Sequence, residues 1–172
     1  MPLTRWFFHK PPDRVVECSM QIAIGSDHGG FALKEQLKDY IKNELHYDVV
    51  DFGTHSADSV DYPDFAFLVA AAVAEGRFAT GIILDGAGLG SSMVANKLPG
   101  IRAAVCNDLF AARNARAHNQ ANVLTLGARI IGDMLAKEIV KVFLNTPFEE
   151  RHQPRIDKIT RLEQQIYGYT RS

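Results

Sequence analysis

Five short, β-rich apolar runs, each followed by a segment of helical spacing, constrain this chain more than any other feature. QIAIG (21–25) precedes Leu33, Leu37, Tyr40, Ile41 and Leu45. DVVDFG (48–53) precedes Phe65, Leu68, Val69, Ala72 and Val73, with Asp61-Tyr62-Pro63 at the start of that helix. GIILD (81–85) runs through a glycine loop into a short helix near 90–97, which Pro99-Gly100 breaks. RAAVC (102–106) leads to a helix over 108–117, and NVLTLGA (122–128) to one over 132–144. A last amphipathic helix carries Ile156, Ile159, Leu162 and Ile166. Apolar periods that switch from 2 to 3.6 in this alternation predict an α/β fold, a five-stranded parallel sheet with helices on both faces.

Length and charge narrow the class. A chain of 172 residues suits one domain, and 47% hydrophobic residues suffice for its core. A net charge of −1 argues against a general nucleic-acid or membrane-surface role. Two distant cysteines, Cys18 and Cys106, make no disulfide framework, so a reducing cytoplasmic compartment is expected. Residues 1–19 have neither signal-peptide character nor coherent periodicity. They are expected to be a disordered extension, with the domain over 20–172. A docking arm containing Trp6, Phe7 and Phe8 is the alternative.

In parallel sheets the ligand lies beyond the carboxyl ends of the strands, at the switch in strand order. With the order 2-1-3-4-5, the first and third strands are neighbours and their tips face that crevice. LDGAGLGSS (84–92) is the strongest local feature. Its glycines allow close backbone approach, and amides at a helix start point at an anion; a tight strand-to-helix turn is the plainer reading. Asp85 at the loop's mouth is placed for a base or hydroxyl acceptor, or for a helix cap. Asp27-His28 and Gly29-Gly30 end the first strand in the same way. His118-Asn119 follows a helix and suits proton donation or simple capping. Arg151-His152-Gln153-Pro154-Arg155 is a phosphate-binding set or a solvated run. Neither zinc-type spacing nor a Walker loop is present, so no metal or other cofactor is expected.

Five ordered motifs, IAIGSDHGGFALK, DYPDFA, the glycine loop with VANKLPGIRAAVC, HNQANVLTLGAR and RHQPRIDKI, resemble the type B ribose-5-phosphate isomerase family. That family also includes the subunits of galactose-6-phosphate isomerase. The resemblance covers about 20–167. It implies a Rossmann-like three-layer sandwich and a homodimer, or a tetramer, with sites between subunits. It implies metal-free aldose–ketose isomerisation through an enediolate, ribose 5-phosphate being the first expected substrate. A tetrose or hexose phosphate, or a non-catalytic sugar-phosphate sensor, are the alternatives. By that mapping Asp27 and His28 contact substrate, and Gly86, Ala87, Gly88, Leu89 and Gly90 supply amides to the enediolate oxygens. His118 helps to open the sugar ring, Asn119 holds a hydroxyl, and Arg129, Arg151 and Arg155 bind phosphate with His152 nearby. The chain departs from the family where the chemistry lies. Many members carry a cysteine base at the position of Asp85, and another branch a glutamate at that of Ser91. Asp85 is therefore the expected base.

Overall fold

The computed structural model describes residues 21–168; the expected extension at 1–19 lies outside them. The elements run β1 (Gln21–Ser26), α1 (Phe31–Asn43), β2 (Asp48–Asp51), α2 (Tyr62–Ala74), β3 (Thr80–Asp85), α3 (Leu89–Ala95), β4 (Ala103–Val105), α4 (Leu109–Ala117), β5 (Val123–Gly127), α5 (Asp133–Asn145), a 3-10 turn at Glu150–His152, and α6 (Gln153–Tyr167). All four strand pairings are parallel.

The sheet order is β2-β1-β3-β5-β4, which corrects the expected placement of the last two strands. Burial explains the exchange. VLTLG in β5 is buried throughout, whereas the three residues of β4 are only half covered. A run that is apolar on both faces belongs inside a parallel sheet, and the shorter one takes the edge.

Right-handed crossovers then fix the layers. The steps β1 to β2 and β4 to β5 go one way, the steps β2 to β3 and β3 to β4 the other. Accordingly α1, α4 and α5 share one face of the sheet, and α2 and α3 the other. Leu37, Ile41, Ile139 and Phe143 fill the first layer with Ile24 and Leu124. Val69, Val73, Ala95 and Ile101 fill the second with Ala23 and Ile83. Each fully buried Leu, Ile or Phe side chain contributes about 1.5–3 kcal/mol.

Two expectations about helix faces change. Leu68 lies on the outer side of α2, exposed together with Phe67. In α6 only Ile156 is buried, while Ile159, Leu162 and Ile166 are exposed. Their stripe points away from the sheet, and the described residues leave it uncovered. Conversely Lys34, on a face that the apolar pattern reads as core, is fully buried. Its Nζ donates to both oxygens of Asp51 and to the Thr54 carbonyl, each at 2.7 Å. This satisfied charge ties α1 to the segment after β2.

Candidate active site

Three strand tips meet at the carboxyl edge of the sheet. The Asp27 amide donates to the Leu84 carbonyl at 3.1 Å, and the Ala128 amide to the Asp85 carbonyl at 2.8 Å. The Arg129 amide donates to Gly86 at 3.0 Å. The turns after β1, β3 and β5 are thus locked together at the switch point between β1 and β3. Asp27, His28, the glycine loop and Arg129 gather there, as the sequence suggests.

The loop is organised by Asp85, which is only 5% exposed. Its Oδ1 accepts from the amides of Ala87 (2.7 Å) and Gly88. Its Oδ2 accepts from the Ser91 amide at 3.0 Å and the Ser91 hydroxyl at 2.5 Å. Two donors on each oxygen satisfy the carboxylate from within its own loop. The amides of Ala87 and Gly88 therefore face Asp85, whereas those of Gly86, Leu89 and Gly90 donate to no described residue. Leu89 and Gly90 open α3, where unpaired N–H groups favour an anion.

Glycine is needed at two loop positions. Gly88 has φ +76°, and a Cβ there would stand 3.0 Å from the Leu126 carbonyl carbon. At Gly90 a Cβ would come within 2.7 Å of the Tyr62 ring. Tyr62 thus walls the loop, a neighbour that sequence reasoning did not select; its only signal was its place in DYP at a helix start.

On the β1 side, Asp27 Oδ1 accepts from the Gly30 amide at 2.9 Å, leaving Oδ2 without a partner among the described residues. His28 Nδ1 lies 3.2 Å from the backbone N and O of Val60. The Arg129 side chain lies against Gly86, within 4 Å of where a Cβ would stand. Cys106 follows β4 and is buried, its thiol pushed up to about 12 by burial and by the Asp108 charge.

The remaining expected residues lie elsewhere. Helix α4 starts beyond the carboxyl end of β4 and runs back, so His118 and Asn119 stand at the amino ends of the strands. The Gly81 amide, at the start of β3, donates to Asn122 just after them. The Glu149 amide donates to the Ala117 carbonyl at 2.9 Å, which brings Arg151, His152 and Arg155 to the same end. Five- and six-residue strands separate the two ends by about 16–20 Å. One chain does not join the two sets in a single pocket.

At the amino end, the rings of His118 and His152 stack with centroids 4.3 Å apart. Asn119 Nδ2 donates to Asn114 Oδ1 at 3.1 Å, and Asn114 Nδ2 donates to His118 Nδ1 at 3.0 Å. This relay fixes the tautomer of His118 with its proton on Nε2. Asn114, one turn before His118, was not selected from the sequence. Arg155 Nη1 donates to His152 Nδ1 at 2.8 Å, so the neutral His152 also carries its proton on Nε2. Burial, then the charges of His118, Arg151 and Arg155, hold His152 below its ordinary value of 6.5.

His118, Glu149 and His152 bring ligand-type atoms within 4.8 Å of one another. With both Nδ1 atoms accepting, the two Nε2 atoms present N–H groups rather than lone pairs. The cluster is thus suited to acceptor oxygens, not to a metal ion. A groove of about 530 Å³ runs along the edge strand β4 and shares only Asn114 and Asn119 with these clusters.

A parallel sheet with an amide-bearing glycine loop at its switch point places the protein in the Rossmann-like α/β class. The chain belongs to the ribose/galactose isomerase family, whose model matches residues 22–159. It is 45% identical over 145 residues to ribose-5-phosphate isomerase B of Escherichia coli, covering 84% of this chain and 97% of that one. It is 40% identical over 148 residues to D-erythrulose-4-phosphate isomerase of Pectobacterium atrosepticum, covering 85% and 97%. The solved ribose-5-phosphate isomerase B of Clostridium thermocellum superposes with TM-score 0.83 at 50% identity, covering 86% and 99%. The protein is therefore a sugar-phosphate isomerase acting between aldose and ketose. No helix among the described residues is long and apolar enough to cross a membrane.

Proposed function

We propose that the protein interconverts ribose 5-phosphate and ribulose 5-phosphate, in a site formed by the carboxyl-end crevice of one subunit and the amino-end cluster of another. The separation of the two clusters by the length of the sheet carries the second part. The exposed stripe Ile159, Leu162 and Ile166 supplies apolar surface for such a homodimer. The choice of pentose rests on relatives at 45% and 50% identity that are named for ribose 5-phosphate.

His118 Nε2–H donates to the ring oxygen and assists opening. Asp85 removes the C2 proton of the open aldose, the C–H electron pair becomes the C1–C2 double bond, and O1 takes up negative charge. The free amides of Leu89 and Gly90 stabilise that charge. Return of the proton to C1, as O1 gains a hydrogen and O2 gives one up, yields the ketose. Oδ1 of Asp85 is held by two backbone amides, so Oδ2 acts, and it does so when the Ser91 hydroxyl turns away. Asp27 and His28 hold substrate hydroxyls, with Asn119 steadying the ring-opening histidine through Asn114. Arg129, Arg151, His152 and Arg155 bind phosphate. Reaction in the cytoplasm fits a chain with no disulfide framework.

The full set of hydrogen bonds on Asp85 favours one rival, a sugar-phosphate binder without proton transfer. Deuterium exchange from solvent into a panel of tetrose, pentose and hexose phosphates separates the readings. Fastest exchange into ribose 5-phosphate is expected. Binding without exchange would contradict catalysis, and fastest exchange into erythrose 4-phosphate or galactose 6-phosphate would contradict the choice of sugar.

A further inference from the structure

We infer that Glu149 is the resident counter-anion of the phosphate site: its carboxylate holds the position that a substrate phosphate takes, and binding exchanges one for the other. This rests on the reading of Arg151, His152 and Arg155 as phosphate ligands, and adds a specificity-determining residue to it.

Four donors face this carboxylate. Arg151 donates to Oε2 from Nε at 2.7 Å and stands with Nη2 at 2.6 Å. His152 Nε2 lies 3.7 Å from Oε2, and His118 Nε2 lies 3.8 Å from Oε1. The last two distances are too long for hydrogen bonds. His152 is 5% exposed, and its Nε2 has no hydrogen-bond partner among the described residues. The tautomer imposed by Arg155 makes that atom a buried donor without an acceptor, a costly arrangement that marks a place for an oxygen. Glu149 brings two oxygens and one charge to a set of donors that could serve more. A phosphate dianion brings three terminal oxygens and a second charge, so it meets the arginine fork and both imidazole N–H groups together. The Arg151 hydrogen bond holds the Glu149 carboxyl below the usual carboxylate range, so it is charged at neutral pH and competes.

The competition has a consequence for selectivity. A neutral sugar cannot displace Glu149, and a singly charged carboxylate ligand gains little over it. Only a dianion gains by the exchange. Glu149 also stands where its loss leaves the backbone in place, because its amide, not its side chain, ties the turn to Ala117.

The test is calorimetric titration of inorganic phosphate into the wild-type protein, Glu149→Gln, Arg151→Ala, Arg155→Ala, and the double variant Glu149→Gln/Arg151→Ala. Steady-state kinetics on ribose 5-phosphate run alongside. Glu149→Gln should bind phosphate about three-fold more tightly, the scale of one exposed ion pair. Its KM should fall by a similar factor with no rise in kcat, and the gain should vanish in the double variant. Unchanged or weaker phosphate binding by Glu149→Gln, with Arg151→Ala and Arg155→Ala still weakening it, would overturn the role of Glu149 alone. Wild-type phosphate binding in both arginine variants would overturn the phosphate reading and this inference with it.

Discussion

At the carboxyl ends of the strands the polar groups are backbone amides fixed around one buried carboxylate, whereas at the amino ends they are side chains gathered around a half-buried one. Asp85 holds the glycine loop by four hydrogen bonds within its own segment. Glu149 holds Arg151 firmly and leaves both histidines beyond hydrogen-bond reach. Under the proposed function, the first end is preorganised for charge that develops during reaction, as enediolate stabilisation requires. Under the same proposal, the second presents side-chain cations to charge that is already on the ligand. Chemistry is therefore expected to be sensitive to geometry at one end, and binding sensitive to charge at the other.

The widest separation should come from Asp85→Asn. It removes the proposed base and places an amide against donors that need an acceptor. Turnover should fall by roughly 10²–10⁴-fold while phosphate affinity at the amino end changes far less, as steady-state kinetics and phosphate titration can show. Equal losses in both would erase the distinction between the ends.

Lys34→Ala comes next. It leaves Asp51, 13% exposed, without its buried partner, and frees the Thr54 carbonyl beneath the carboxyl end. Stability should drop by about 3 kcal/mol in chemical denaturation. Lys38, more exposed on the same aspartate, should cost under about 1 kcal/mol when replaced by Ala. Matching losses would show that the buried pair is not what anchors this region.

At the amino end, Arg155→Ala should raise KM for the sugar phosphate by about ten-fold with a smaller change in kcat. It also removes the donor that sets the His152 tautomer, so Arg155→Lys should rescue only part of the effect. An unchanged KM would return the cluster to a solvated surface run.

The smallest effect concerns pH. His152 has its folded-state value lowered, so the unfolded chain takes up its proton first as pH falls. The stability it contributes is complete above 6.5 and is lost as pH drops from there through the folded-state value. Glu149, lowered from 4.5, contributes stability above that value and loses it only as pH falls further. His118, Arg151 and Arg155 oppose a charge on His152, and Glu149 favours it. The melting temperature should therefore fall between about pH 7.5 and about pH 5.5, and His152→Gln should flatten that slope. A steeper slope in the variant would contradict the assignment.

Much of this was legible in the residues because the signals are local. Each strand and helix announced itself by period, and the carboxyl-end site followed from the rule that polar residues after parallel strands face a crevice. The exchange of β4 and β5 was not legible, because neither RAAVC nor NVLTLGA states its neighbour; relative burial decides it, and burial exists only once the helices are placed. The proposed sharing of the site between subunits was legible only through resemblance. His118 and Asp85 look equally available in a linear sequence, and the direction of α4 is what carries them to opposite ends. Asn114, Tyr62 and Glu149 escaped selection because an asparagine in a helix, a tyrosine beside proline and a glutamate in a turn are ordinary residues until their partners are known. The four-residue spacing of Asn114 to His118 and the three-residue spacing of Glu149 to His152 were the signals available.

The proposed active site requires the union of the two ends across two subunits. Asp85→Asn and Arg155→Ala chains, each of low activity when assayed at substrate concentrations well below the wild-type KM, can be mixed, briefly unfolded and refolded together. A mixed dimer then holds one doubly damaged site and one intact site. About a quarter of wild-type activity should return, since half of randomly reassembled dimers are mixed. Activity no higher than the average of the two separate variants would contradict a site shared between subunits.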